Sequence, residues 1–506
     1  MPLTSALLHL VGLFLTEEDW AHLLSTDKGL RRLKTLRPRS FGRNYVFDQI
    51  ELLQAVLVRG RNAVLTGAAG TGKSHLIRAL VRFAARHTAL RVQCVGLTGM
   101  ACLQLPPGSQ TVHSYSKLGM ATAPLSELAR RVAENDGKPY RHMAKTDLLV
   151  VDEASMFGRS LLAKVELVAR AGRGGGNRPF GGMQVVFVGD WFQLQPIGDG
   201  HCFTSPLWPK LAMHVQLLTH VQRQRDPQFA FLLNRMRVGD HTDADIGVLR
   251  HRWEVTKQID WRARDRRPVH LFPFNKDVAR VNRERFDERP EPVTYEYAAV
   301  DEVVKRRYDA ASQRWVWDTT AEVSVVQARA SLGLLIEMRS TELLRCKDGA
   351  QYILTRNISV EQGRVNGSRV LYRYDGTDHF LEFEDASRLN LNNPAVQPQV
   401  QGFLLYKLPG FALRRRQHPL KLGYAQSLHS GQGMTLKEVM VDLGSGVRQH
   451  GQAYVGASRV STVEGLYLSA FDPAAIRADP FVRRWYEGMN QPPSVKRKRE
   501  EEEKKE

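Results

Sequence analysis

An octapeptide, Gly67-Ala68-Ala69-Gly70-Thr71-Gly72-Lys73-Ser74, narrows the possible folds of this chain more than any other stretch. It follows the apolar run Ala63-Val64-Leu65 and opens into His75-Leu76-Ile77-Arg78-Ala79-Leu80, which reads as strand, loop and helix. Glycines let backbone N–H groups turn inward around an anion, and the following helix aims its positive end at the same point. In the pattern G-x-x-x-x-G-K-[ST] the lysine reaches the β- and γ-phosphates and the hydroxyl faces Mg²⁺. Those roles fall to Lys73 and Ser74, with Gly67 to Gly72 as the cradle. The stretch predicts a nucleotide site on an α/β fold.

From residue 61 to about 215, short apolar runs alternate with helical stretches, as in a parallel sheet covered by helices. Val92–Gly96, Leu148–Val151 and Val185–Val188 are the expected buried strands, and each ends in polar residues, where open α/β sheets gather ligands. Leu148-Leu149-Val150-Val151 delivers Asp152-Glu153, a carboxylate for the metal and a second for the attacking water. Val186-Phe187-Val188 delivers Gly189-Asp190-Trp191-Phe192-Gln193, where Gln193 either senses a γ-phosphate or is a buried structural amide. Arg223 and Arg459 are candidates to stabilise charge on a transferred phosphoryl group, or else surface residues. Gln49, 18 residues before Gly67, offers an amide suited to an adenine edge.

The chain has 506 residues, room for about three domains. Its 72 Lys and Arg against 53 Asp and Glu leave a net charge of +19. The last eleven residues carry six basic and five acidic side chains, so the excess lies in the body and favours a polyanionic partner. Cys94, Cys102, Cys202 and Cys346 are far apart with no C-x-x-C pair, which fits a reducing, intracellular setting without a zinc or disulfide framework. Ala6 to Leu15 is apolar but too short to span a bilayer and is followed by Glu17-Glu18-Asp19, so we expect a buried amphipathic helix, no leader and no membrane association. Residues 28–43 are densely basic, a phosphate contact or a solvated helix face. Residues 491–506 read as a disordered charged tail in which Lys496-Arg497-Lys498-Arg499 is a nuclear-import signal or only solvating.

Val269–Phe272, Asn275 to Asn282 and Leu420 to Leu468 suggest a second α/β domain. Between them, roughly 301–411, short strands and turns around Tyr352-Ile353-Leu354, Asn366-Gly367, Tyr372-Arg373-Tyr374 and Phe380-Leu381-Glu382-Phe383 predict a small inserted β-barrel.

Taken in order, these motifs resemble the petite-integration-frequency type of DNA helicase, a 5′→3′ branch of helicase superfamily one. The resemblance runs from about Gln49 to Tyr486. Its most specific element is Glu166 and Ala169-Arg170 followed by Pro179-Phe180-Gly181-Gly182-Met183-Gln184, which separates this family from RecD-type relatives. Thr98-Gly99-Met100-Ala101, Thr111-Val112-His113-Ser114, Gly349-Ala350-Gln351, Val365 to Arg369, Ser427 to Thr435 and Phe471-Asp472-Pro473 near Asp479-Pro480 also match. Three positions depart: Ser430 stands where the family usually carries Lys, Gln195 where it carries Pro, and Gln222 where it carries an aromatic residue.

The resemblance implies two RecA-like domains, with a strand-splitting wedge inserted at about 116–146 of the first and an SH3-like barrel at 301–411 of the second. The first domain would span 44–215 and the second 216–300 with 412–490, after a helical and basic segment at 1–43. Mg²⁺ and ATP would bind at Gln49, the Gly67 to Ser74 loop and Asp152. Glu153 would drive hydrolysis, Gln193, Arg223 and Arg459 would sense the γ-phosphate, and Gln432-Gly433 would couple the second domain to it. Thr98, Gly99, His113, Ser114, His429, Gln452, Tyr454 and Ser458 would face or flank single-stranded DNA. The implied activity is ATP-dependent unwinding of duplex, forked or structured DNA in replication, repair or recombination, by a monomer or by a dimer on DNA. A partner-dependent RecD-type subunit and an inactive DNA-binding scaffold are the alternatives. Nucleus, mitochondrion and a viral replication compartment all accommodate it.

Overall fold

The computed structural model describes residues 51–489 apart from 98–100, 103, 120, 122, 220, 222, 225, 265, 310–313, 333–339, 360–361, 365, 406–407 and 409. The helix expected at Ala6 to Leu15, the basic run, Gln49, Thr98, Gly99, Gln222, Val365 and the charged tail lie outside the described residues. Contacts divide the chain into two units, Met1–Gln258 with Leu428–Glu506, and Ile259–Ser427.

The first unit is built on strand β1 (Ala63–Gly67), helix α1 (Lys73–His87), β2 (Val92–Gly96), β3 (Gln110–Thr111), β4 (Leu148–Asp152), helix α2 (Arg159–Gly172), β5 (Gln184–Gly189) and β6 (His214–Leu218). The strands lie side by side in the order β3-β2-β4-β5-β1-β6, and every pairing is parallel. Parallel strands are covered on both faces, which is why they read as unbroken apolar runs. Alternation sorts them: Val64, Leu149, Val151, Val185 and Phe187 enter one core with Leu162, Val165, Val168 and Ala169 of α2. Ala63, Leu65, Leu148, Val150, Val186 and Val188 enter the other with Leu76, Ile77, Leu80, Phe83 and Ala84 of α1. The two helices therefore cover opposite faces, and the parallel register brings the ends of β1, β4 and β5 to one edge.

Between β3 and β4, helix Leu125–Glu134 and a 3₁₀ segment at Lys138–Lys145 occupy the insertion. Arg173 ties that insertion to the glycine turn at 179–182, donating to the Met143 and Gly181 carbonyls at 3.2 and 3.1 Å and also to that of Thr146. After β6 comes α3 (Pro227–Val238), with Asp226 accepting from Gln228 N at its start, Pro227 in its first turn and Gly239 left-handed at its end. The chain returns to this unit through Val439–Leu443 and Leu466–Phe471, which pair in parallel, with α4 (Gln452–Ala457) between them and α5 (Pro480–Met489) last.

The second unit contains strand Val269–Phe272 parallel to Ala425–Ser427, and helix Asn275–Asp287. The rest is antiparallel. A five-stranded sheet runs Arg388–Asn390, His379–Glu382, Arg369–Tyr374, Gln351–Leu354, Leu420–Leu422, over a core that includes Cys346, Tyr352, Tyr372 and Leu381. A four-stranded sheet runs Arg314–Thr319, Val300–Asp309, Phe411–Gln417, Gln399–Leu404. The expected α/β class and β-rich insertion are both present. No described helix is long and apolar enough to cross a membrane.

Candidate nucleotide site

At the shared edge of the first unit's sheet lies a cavity of about 270 Å³, bordered by Ala69, Gly70, Gly72, Lys73, Ser74, His75, Arg78, Gln104, Asp152, Glu153, Gln193, Arg223, Gly433 and Arg459. The loop leaving β1 is kept tight by glycine. Gly72 caps α1 at φ 89° and Gly70 stands at φ 81°. A Cβ on Gly70 would come within 2.5 Å of the Arg223 Cβ, and Arg223 N donates to the Gly70 carbonyl at 3.2 Å. Arg223 is therefore seated on the loop itself.

The Lys73 ammonium donates to the Gly67 and Ala68 carbonyls at 2.8 and 2.9 Å. Burial lowers its pKa, while Asp190, Glu153 and Asp152 pull the other way. Asp152 ends β4, and burial with the adjacent Glu153 charge pushes its carboxyl up to about 7. Glu153 is left-handed at φ 55°, ψ 40°, an uncommon state for a side chain of this size. Its N–H donates to Asp152 Oδ1 at 2.9 Å. Gln432 Nε2 donates to Glu153 Oε2 at 3.0 Å and to Ser155 Oγ at 3.2 Å, and Gln104 donates to the Gly433 carbonyl.

Two arginines share the far wall. Arg223 reaches the Ser458 carbonyl at 3.3 Å. Arg459, 1% exposed, donates to the Val455 carbonyl and Ser458 Oγ, both at 2.7 Å. Burial and the neighbouring Arg223 charge lower Arg459 to about 10, and burial also lowers Arg223. Gln193 donates to Asp190 Oδ2 at 3.4 Å, and its own buried carbonyl oxygen has no hydrogen-bond partner among the described residues. Such a wall is costly without an anion to face.

Ser74 and Asp152 both border the cavity. A hydroxyl with a carboxylate is a sparse oxygen set of the kind Mg²⁺ accepts when phosphates and water complete its shell. Among the described residues, no cluster of three or more His, Cys, Asp or Glu is placed to hold a metal by itself.

Lys73, Ser74, Asp152, Glu153, Gln193, Arg223, Gly433 and Arg459 are thus brought together, with Gln432 touching Glu153. Of the residues expected along a nucleic-acid strand, Ser114 is exposed and His113 half-buried on the short helix Val112–Tyr115. His429 is half-buried, and burial lowers its pKa. Gln452, Tyr454 and Ser458 are buried. Their polar atoms turn inward: Tyr454 Oη to Ala69 N and Asp190, Gln452 to Gln449, and Ser458 Oγ to Val455. Two participants carry no expected role. Asp190 stood inside the Gly-Asp-x-x-Gln motif, whereas Arg237, which pairs with it, lies in no motif.

A family model described as PIF1-like helicase matches residues 42–245. The human ATP-dependent DNA helicase PIF1 is 32% identical over 87% of this chain, which spans 63% of that relative's length. The crystal structure of Pif1 helicase from Candida albicans superposes with a TM-score of 0.71 over 88% of this chain and 99% of its own, at 24% identity. A Bacteroides Pif1 helicase in complex with ADP-AlF3 and ssDNA gives 0.61 at 20% identity, covering 86% and 96%.

Proposed function

We propose that the chain is a PIF1-like helicase that hydrolyses ATP to translocate 5′→3′ along single-stranded DNA and unwind duplex, forked or structured DNA. One observation carries the reading: a lysine on a phosphate loop, two carboxylates, a glutamine, the half-buried Arg223 and the buried Arg459 converge on a single cavity. The relatives' names and the neighbour solved with ADP-AlF3 and ssDNA support it.

In this reading Lys73 leaves the Gly67 and Ala68 carbonyls for the β- and γ-phosphates. Ser74 and Asp152 would hold Mg²⁺, which supplies charge neutralisation on the phosphate oxygens. Glu153 orients the attacking water, and its hydrogen bond to Gln432 ties that step to the segment after residue 428. Arg223, Arg459 and Gln193 stabilise charge on the transferred phosphoryl group. Residues 44–215 form the first motor domain, with the wedge at 116–146; 216–300 with 412–490 form the second; 301–411 are the inserted SH3-like module. His113, Ser114 and His429 are offered to the strand, and the excess of basic residues suits tracking of its phosphates.

The test is Mg²⁺-ATP hydrolysis by the purified chain with and without single-stranded DNA. DNA should stimulate turnover, and Lys73→Ala should reduce it to background with an unchanged melting temperature. Turnover retained in Lys73→Ala would mean that the phosphate loop is misassigned.

A further inference from the structure

We propose that Tyr454 and Arg237 are positioning residues that clamp the phosphate loop through the Asp190 carboxylate, so that the loop, Gln193 and the turn bearing Arg459 respond to nucleotide as one body. The proposal deepens the ATP-hydrolysis reading and rests on it.

Asp190 has no exposed surface. Its carboxylate accepts from Tyr454 Oη at 3.2 Å, from Gln193 Nε2 at 3.4 Å, from Phe192 N at 3.3 Å and from Arg237 Nε at 2.9 and 3.1 Å. Three separate chain segments therefore meet on one carboxylate. Tyr454 continues the chain of contacts, because its oxygen also accepts the Ala69 N–H at 2.7 Å. One hydroxyl thus joins the phosphate loop to Asp190. Burial raises the pKa of Tyr454 well beyond the ordinary tyrosine range, which keeps the donated proton in place.

The same tyrosine sits one turn ahead of the phosphate-facing arginine. Ser458 N donates to the Tyr454 carbonyl at 2.9 Å, and Arg459 Nε to that of Val455 at 2.7 Å. Helix α4 also rests directly on the Gln193 backbone. Gly451 precedes the helix at φ 77°, and a Cβ there would stand 2.4 Å from the Phe192 carbonyl oxygen and 2.7 Å from that of Gln193. Loop, glutamine and arginine turn are therefore packed and bonded to each other through α4.

Arg237 completes the circuit from the other side. Its guanidinium lies 4.6 Å from the centre of the Phe192 ring and 5.2 Å from that of Tyr486, two rings stacked at 4.8 Å. Tyr486 Oη meets Thr66 Oγ1 near the end of β1 and accepts Trp191 N–H at 3.3 Å. The network begins and ends on the segment that presents the phosphate loop. A well-packed apolar cluster would stabilise such an interior at least as well as an ion pair. What the polar version adds is direction, aimed at Ala69 N and at Gln193.

The experiment compares the full chain with Tyr454→Phe, which keeps the ring and removes the hydroxyl, and with Arg237→Lys, which keeps the charge and gives up the planar fork. Amide hydrogen exchange without nucleotide and kcat and KM for ATP are both read. In Tyr454→Phe, exchange in residues 67–72 should rise roughly tenfold or more while β4 and β5 stay protected. Its kcat should fall by a similar factor with KM moving less than about threefold, the scale expected for losing a hydrogen bond to a charged group. Arg237→Lys should lie between it and the unaltered chain. Loop exchange or kcat equal to the unaltered chain, or faster exchange everywhere at once, would overturn the proposal. If the unaltered chain hydrolyses no ATP, the functional reading fails, and loop exchange alone decides whether the clamp exists.

Discussion

The side chains of Asp190 in the first unit and Asp301 in the second are both almost wholly covered, and each pairs with an arginine, half-buried Arg237 in the one case and buried Arg415 in the other. Their remaining partners differ. Asp301 accepts from Arg415 through Nε and Nη2, both at 2.8 Å, and from Arg329 Nε at 2.6 Å, while Arg415 also holds the Ser340 carbonyl. Asp301 and Arg415 are register partners on adjacent antiparallel strands, and Arg329 comes from helix Val325–Leu332. That carboxylate is surrounded by cations and fastens a sheet to a helix. Asp190 has one arginine and fills its other positions with neutral donors that lead to a binding loop. The same ion pair serves cohesion in one place and orientation of a site in the other.

Arg415→Met separates the two uses most strongly. It leaves Asp301 buried with Arg329 alone, and breaking such a pair costs about 3–5 kcal/mol. Chemical denaturation should show that loss, with ATP turnover per folded molecule unchanged. Lost turnover at full stability would break the comparison. Gly451→Ala acts on the site side: an added Cβ collides with backbone at a positive φ, so about 1–3 kcal/mol of destabilisation should accompany slower turnover. Turnover unchanged at full stability would show that α4 can move off Gln193 freely.

The smallest effect is in pH. Burial pushes the Asp301 carboxyl upward, but Arg415 and Arg329 reverse this and hold it below its ordinary value of 3.8. A depressed carboxylate contributes stability above its unfolded pKa and loses it as pH falls through the native one. Exchange protection in residues 300–309 and 411–417 should therefore weaken below about pH 4, and Arg415→Met should flatten that dependence. An unchanged acid profile in Arg415→Met would mean that the pair carries no linkage.

Much of the first unit is legible in the amino-acid sequence because parallel strands are apolar throughout. Val92–Gly96 and Leu148–Val151 need no tertiary information, and the polar residue after each run falls at the sheet edge by geometry. Lys73, Asp152, Glu153 and Gln193 inherit their places from those strand ends. Tyr454 is harder, since a six-residue helix has no periodicity long enough to declare its buried face. Arg235 and Arg237 lie on one helix, and only packing sends the first to Asp245 and the second to Asp190. The Asp301–Arg415 pair spans 114 residues and exists only once two strands have aligned.

Strand separation by the purified chain, with ATP and Mg²⁺, on duplexes bearing either a 5′ or a 3′ single-stranded tail tests the central claim most directly. The account predicts unwinding of the 5′-tailed duplex alone, and a single-strand binding constant whose logarithm falls against log salt with a slope of about −0.7 per phosphate neutralised. Unwinding from the 3′ tail, or DNA binding with no ATP turnover at all, would contradict it.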